Sequence, residues 1–228
     1  MPVNVASSHR IPLGNTGILA LGSAPQPWQL VGCQERFDMP DAHAEDSEEE
    51  STFWREYLLY NRTQGFAFLI DSTDGWSWAK PISGAPNARG EQVHWQSASY
   101  KKRWACVAKV TWVQGEFYWR VQREERALVT DFEGQGGDSD QRLSREQTGN
   151  EVTWSVGLTL NAGDLADAFG IAAGSRAALQ RDVRRTFGAA STEYPQCQRS
   201  SGSGCRGRGG GTGRGSYGGY SSGGGGHK

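Results

Sequence analysis

Trp54-Arg-Glu-Tyr-Leu-Leu-Tyr-Asn-Arg-Thr-Gln-Gly65-Phe66 is followed fifty positions on by a look-alike, Trp104-Ala-Cys-Val-Ala-Lys-Val-Thr-Trp-Val-Gln-Gly115-Glu116-Phe117. Each block runs from Trp through β-prone residues to Gln-Gly and then reaches Phe. A strand-forming run, a tight turn and a second run is the signature of a β-hairpin. In the second block Cys106, Ala108, Val110 and Trp112 fall on one face, with Lys109 and Thr111 on the other. That alternation is expected of a half-buried antiparallel strand. Beyond Gln114-Gly115, Phe117, Trp119 and Val121 alternate with Glu116, Tyr118 and Arg120, which predicts a returning strand over 116–122.

The flanking sequence continues the β pattern. Strands are expected at 53–62 and 66–71, then a turn at Thr73-Asp74-Gly75 and a short strand from Trp76 to Trp78. Pro81, Gly84, Pro86 and Gly90 mark 80–90 as a loop. Further strands are predicted at 91–97, 127–132 and 151–160, and the Gly-, Asp- and Gln-rich stretch 133–150 reads as a long loop. Upstream, 11–37 reads as two short strands around a Pro-containing turn at 25–27. Asn161 caps a short helix running to Phe169, with Leu165 and Phe169 four residues apart. The expected class is mainly β: an antiparallel β-sandwich or a partly open β-barrel with a short C-terminal helix. The pattern does not choose between sandwich and barrel.

The 228 residues, 36% hydrophobic with nine Trp, suffice for one core. The predicted domain spans 11–171, after a disordered lead at 1–10. Within it, 38–51 carries seven acidic residues and reads as a solvated loop, since like charges so dense resist packing. Residues 172–199 form a linker with a marginal helix at 174–187. From 200 to 228 the chain is low in complexity. Half of its last twenty-eight residues are Gly, so it cannot bury enough apolar area to offset its ordering entropy. The net charge of −1 hides a division: from residue 172 on, nine Lys and Arg face two Asp and Glu, so a basic tail follows an acidic body.

Composition also bounds the chemistry. No run approaches the ~20 apolar residues of a membrane span. No secretory signal is visible, so the cytoplasm is the expected location. The cysteines form no C-x-x-C pair and cluster with no His, so neither a metal site nor a cofactor is expected. Cys33 and Cys106 read as core residues. Cys197 and Cys205 lie in the tail, where a disulfide is the alternative. His9, His43, His94 and His227 are scattered, and no Ser-His-Asp set, phosphate loop or H-E-x-x-H occurs. No catalytic residue is assigned, and the expected role is not enzymatic.

At these blocks the chain resembles a bacterial family known only as domain of unknown function 4178. Leu13-Gly14, Trp54 to Leu59, Gly65-Phe66, Trp76-Ser77, Gly115 to Val121, Trp154 to Gly157 and Ala168 to Gly170 carry the resemblance, which covers about 11–171. It implies a single copy here, without the zinc ribbon some members carry. The family has no established activity. Its members tend to occur beside aminopropyltransferase-like and small membrane proteins, which implies a polyamine- or envelope-linked accessory role by association alone.

Three groups of residues are candidates for function. Glu56 and Glu116 sit among aromatics in the family motif. Glu56 shares its alternation with Trp54, Leu58 and Tyr60, so an inward carboxylate is expected. Burial would require a partner, for which Arg55 and Arg120 are the candidates. These groups read either as a fold-locking ion pair or as a site for a cationic, polyamine-type ligand beside aromatic faces. Trp54, Tyr57, Trp76, Trp119 and Trp154 read as core, with a surface groove as the alternative. In the tail, Arg206, Arg208 and Arg214 with Tyr217 and Tyr220 suit weak RNA contacts through phosphate and stacking, against a merely solubilising role. Together these features predict a non-catalytic binding or scaffold module acting with a protein partner. The alternatives are polyamine binding and tail-mediated RNA binding.

Overall fold

The computed structural model describes residues 11–39, 52–172, 175, 176 and 179. The expected lead at 1–10, the acidic stretch beyond Met39, most of the second helix at 174–187 and the Gly-rich tail lie outside these residues. The strands are β1 (Thr16–Leu19), β2 (Gln26–Met39), β3 (Phe53–Asn61), β4 (Gly65–Ser72), β5 (Gly75–Pro81), β6 (Asn87–Arg89), β7 (Gln92–Trp95), β8 (Ala98–Gly115), β9 (Arg126–Gly134), β10 (Gln141–Thr148) and β11 (Glu151–Leu160). Helix α1 (Ala162–Ala168) follows.

The strands pair antiparallel in the order β1-β2-β3-β4-β5-β11-β10-β9-β8-β7-β6, and β2 also pairs with β8. That pairing closes β2-β3-β4-β5-β11-β10-β9-β8 into an eight-stranded barrel. Closure leaves this ring no free edge. The seam runs from Gly32 beside Gly115 to Met39 beside Val107. Its glycines explain the second Gln-Gly. Gly115 has φ +87°, and a side chain at Gly32 would meet the Glu116 carbonyl oxygen at 2.7 Å and the Phe117 ring at 2.8 Å. Gly115 therefore ends β8 at a close backbone crossing rather than turning a hairpin.

This corrects several expectations. Residues 116–122 form no strand: they belong to the segment between β8 and β9, whose Phe117 and Trp119 pack against the lumen cluster and so cap one end of the barrel. The long loop expected at 133–150 contains β10, in the barrel wall between β9 and β11. The loop expected at 80–90 contains β6. The two short upstream strands are β1 and the start of a β2 that runs unbroken through the Pro27 region to Met39. Asp38 is buried in β2 rather than solvated in an acidic loop.

Alternation along each strand sorts side chains into a lumen and an outer face. Trp54, Leu58, Phe68, Ile70, Cys106 and Val129 make one cluster drawn from both sides of the ring, which is the barrel interior. Burying each such large apolar side chain stabilises the fold by roughly 1.5–3 kcal/mol. The intervening Tyr57 and Leu59 face outward, under a layer of N-terminal residues and α1 that includes Leu21, Leu165 and Phe169. Asn161 holds that helix in place: its side-chain oxygen accepts from Gly163 N at 2.7 Å and Asp164 N at 3.4 Å. A third cluster, with Val93, Tyr100, Phe132, Leu143 and Trp154, packs the β6–β7 hairpin on the opposite outer wall.

Candidate functional site

The lumen is not uniformly apolar. Gln34 and Arg36 enter it from β2, Trp54 and Glu56 from β3, and Glu146 from β10. Glu56 is 0% exposed. It accepts from Gln34 Nε2 at 2.6 Å, from Trp54 Nε1 at 2.7 Å and from an Arg36 guanidinium nitrogen at 3.3 Å. Arg36 reaches across the barrel to grip Glu146 with two nitrogens, at 2.8 and 3.1 Å. Its guanidinium lies 5.8 Å from the Trp54 ring centroid, a cation–π contact.

Two carboxylates thus share one guanidinium away from water. Burial pushes the Glu146 carboxyl up to about 7, only partly countered by Arg36, and the Glu56 and Glu125 charges push the same way. Burial also opposes the Arg36 charge, but Glu146 and Glu56 outweigh it and hold the guanidinium firmly protonated. Burial together with a neighbouring like charge favours the protonated, neutral form of such a carboxyl.

The cluster reaches the capped end of the barrel. There Gln34, Arg36, Val110, Trp119, Glu125, Ala127, Glu146 and Thr148 line a recess of about 270 Å³, counted with the solvent-open space at its rim. Beside it runs an aromatic ladder. Tyr60 and Phe66 lie 5.1 Å apart between ring centroids, Phe66 stacks on Tyr118 at 4.0 Å, and Tyr118 meets Trp119 edge-on at 4.6 Å. Tyr60 is 39% and Tyr118 40% exposed.

The predicted site residues separate. Glu56 is in the lumen, where its cationic partner is Arg36 rather than Arg55 or Arg120. Strand parity puts Arg55 on the outer face of β3, with its Nε 3.8 Å from Glu35, a carboxylate that also accepts from Thr111 at 3.0 Å. Glu116 and Arg120 are exposed on the capping segment, so the two glutamates do not converge on one ligand. Trp54 is lumen core. Tyr57 and Trp76 are outer core, 5.6 Å apart, and Trp154 packs near Phe132. Trp119 alone of these five is half-buried, at the recess. Cys33 and Cys106 are buried free thiols that burial pushes well up. Arg206, Arg208, Arg214, Tyr217 and Tyr220 lie outside the described residues, as do Cys197 and Cys205.

Arg36, Gln34 and Glu146 escaped the sequence reading. Gln34 and Arg36 stood in plain view as polar residues at alternate positions in a run ending at Phe37. Glu146 had no signal, because its strand was unrecognised. Among the described residues, no group of three or more His, Cys, Asp or Glu is arranged to hold a metal ion, and no helix is long and apolar enough to cross a membrane.

No curated protein and no solved structure matches this chain. The family described as Domain of unknown function (DUF4178) matches residues 26–162, which takes in the whole closed barrel. The chain belongs to the DUF4178 family.

Proposed function

We propose that this protein is a non-catalytic binding module that engages a protein partner through the aromatic end of its barrel. The observation that carries this reading is the ladder Tyr60–Phe66–Tyr118, whose two tyrosines are 39% and 40% exposed although they stack in a continuous series. Tyrosine is enriched at interfaces because it offers large rigid contact area with a polar tip. The capping segment that presents Tyr118 is anchored at both ends. Glu116 N donates to Val31 O at 2.8 Å, and Glu124 N donates to Val110 O at 2.8 Å. The ladder is therefore preorganised, which lowers the entropic cost of association.

The test is affinity capture by the full chain against the double variant Tyr60→Ser/Tyr118→Ser, with far-UV circular dichroism confirming the same fold. A partner held by the parent and lost by the variant supports the proposal; equal retention overturns it. The polyamine- or envelope-linked setting rests on family resemblance alone, and the RNA reading rests on a tail outside the described residues.

A further inference from the structure

Behind its open rim, the recess beside the ladder encloses space for about one water molecule. The groups around that space are mixed in character. From β2, the Arg36 Nε–H is buried and has no partner, although both terminal nitrogens of the same guanidinium are engaged. From β10, the Thr148 hydroxyl is shielded from solvent and likewise unpartnered. Glu146 stands two residues before Thr148 and lines the same recess. Each of its oxygens accepts once from Arg36, and a carboxylate oxygen can accept about two hydrogen bonds. Val110 and Ala127 complete the lining with apolar surface.

An N–H and a hydroxyl buried without partners are costly, and folded proteins meet such groups with ordered water where a polar space admits one. The lining chooses the occupant. It must accept from Arg36 Nε and donate to a Glu146 oxygen, while the Thr148 hydroxyl serves as donor or acceptor. An ammonium or a metal ion has no lone pair for Nε–H and would stand against the guanidinium. A halide has no proton for Glu146 and would stand against the carboxylates. An organic molecule exceeds the enclosed space. Water donates twice, accepts twice and carries no charge.

We infer that the recess is a binding site for a single ordered water, which accepts from Arg36 Nε, donates to Glu146 and shares a hydrogen bond with the Thr148 hydroxyl. The water is a second link between β2 and β10, beside the direct Arg36–Glu146 pair. The site stands whether or not the aromatic ladder takes a protein partner.

The experiment is NMR of the isotope-labelled full chain. Cross peaks from the Arg36 Nε–H proton to the water resonance are recorded in the laboratory frame and in the rotating frame. Opposite signs in the two report a water that stays beside that proton; equal signs report exchange of the proton itself. A cross peak of opposite signs is expected in the parent. Thr148→Val keeps the side-chain shape and removes the hydroxyl proton, whose own exchange could relay the water signal. The cross peak should survive there, weakened by the lost partner. Ala127→Val adds methyl groups to the recess wall and should abolish it, with far-UV circular dichroism confirming the same fold. No cross peak of opposite signs in the parent, its disappearance in Thr148→Val, or full intensity in Ala127→Val would overturn the assignment.

Discussion

Replacing Arg36 by Met tests the central electrostatic claim. Methionine keeps much of the apolar stem and removes the charge. Arg36 makes three contacts to two carboxylates, one to Glu56 at 3.3 Å and two to Glu146 at 2.8 and 3.1 Å. Without it, Glu56 at 0% exposure and Glu146 at 4% remain buried with no cation between them. Glu146, raised to about 7, is already half-protonated at neutral pH. The new demand is to neutralise the second carboxylate. Holding a glutamate protonated at pH 7, against an ordinary value of 4.5, costs about 3 kcal/mol at roughly 1.4 kcal/mol per pH unit. That agrees with the roughly 3–5 kcal/mol seen when one partner of a buried pair is removed. At pH 5 the same step costs only about 0.7 kcal/mol. Urea unfolding followed by tryptophan fluorescence at both pH values should therefore show a large loss at pH 7 that mostly disappears at pH 5. Adding Glu56→Gln to the Met variant should restore part of the stability at pH 7. A loss below about 1 kcal/mol at pH 7, or an equal loss at both pH values, would refute the account, since buried charges are neither cheap nor indifferent to pH.

Two further outcomes are expected. The raised Glu146 carboxyl means that the folded state binds its proton more tightly than the unfolded chain does. Its contribution is full below pH 4.5 and is lost as pH rises through about 7, so Glu146→Gln should flatten the fall in stability over that window, read from melting temperatures in a pH series. Asn161→Ala removes the side-chain acceptor for Gly163 N and Asp164 N and should cost about 1 kcal/mol, measured by urea unfolding; no change would mean that α1 does not need its cap.

Much of the β content was legible because one face of these strands is buried and the other is not. The 53–62, 66–71 and 151–160 strands and the Asn161 cap lie within a residue or two of β3, β4, β11 and α1. β10 was illegible for the same physical reason that makes it interesting. Its lumen positions hold Ser144 and Glu146 instead of apolar side chains, so a wall strand carries the composition of a loop. The second Gln-Gly misled because glycine serves two purposes. It permits a turn, and it also permits one backbone to pass close to another, as at Gly32 and Gly115. Local sequence does not distinguish them.

By itself the sequence determined the class of the fold, the inward side of β3 and the family. Each rests on local alternation or on motif spacing, which neighbouring residues encode together. Tertiary structure alone decided between sandwich and barrel, because closure depends on β2 meeting β8 across about seventy-five residues of chain. It also decided that Glu56 answers to Arg36 and Glu146 rather than to Arg55 or Arg120. Strand parity turns Arg55, the neighbour in sequence, to the opposite face, and the curvature of the barrel brings Glu146, 110 positions from Arg36, into contact with it.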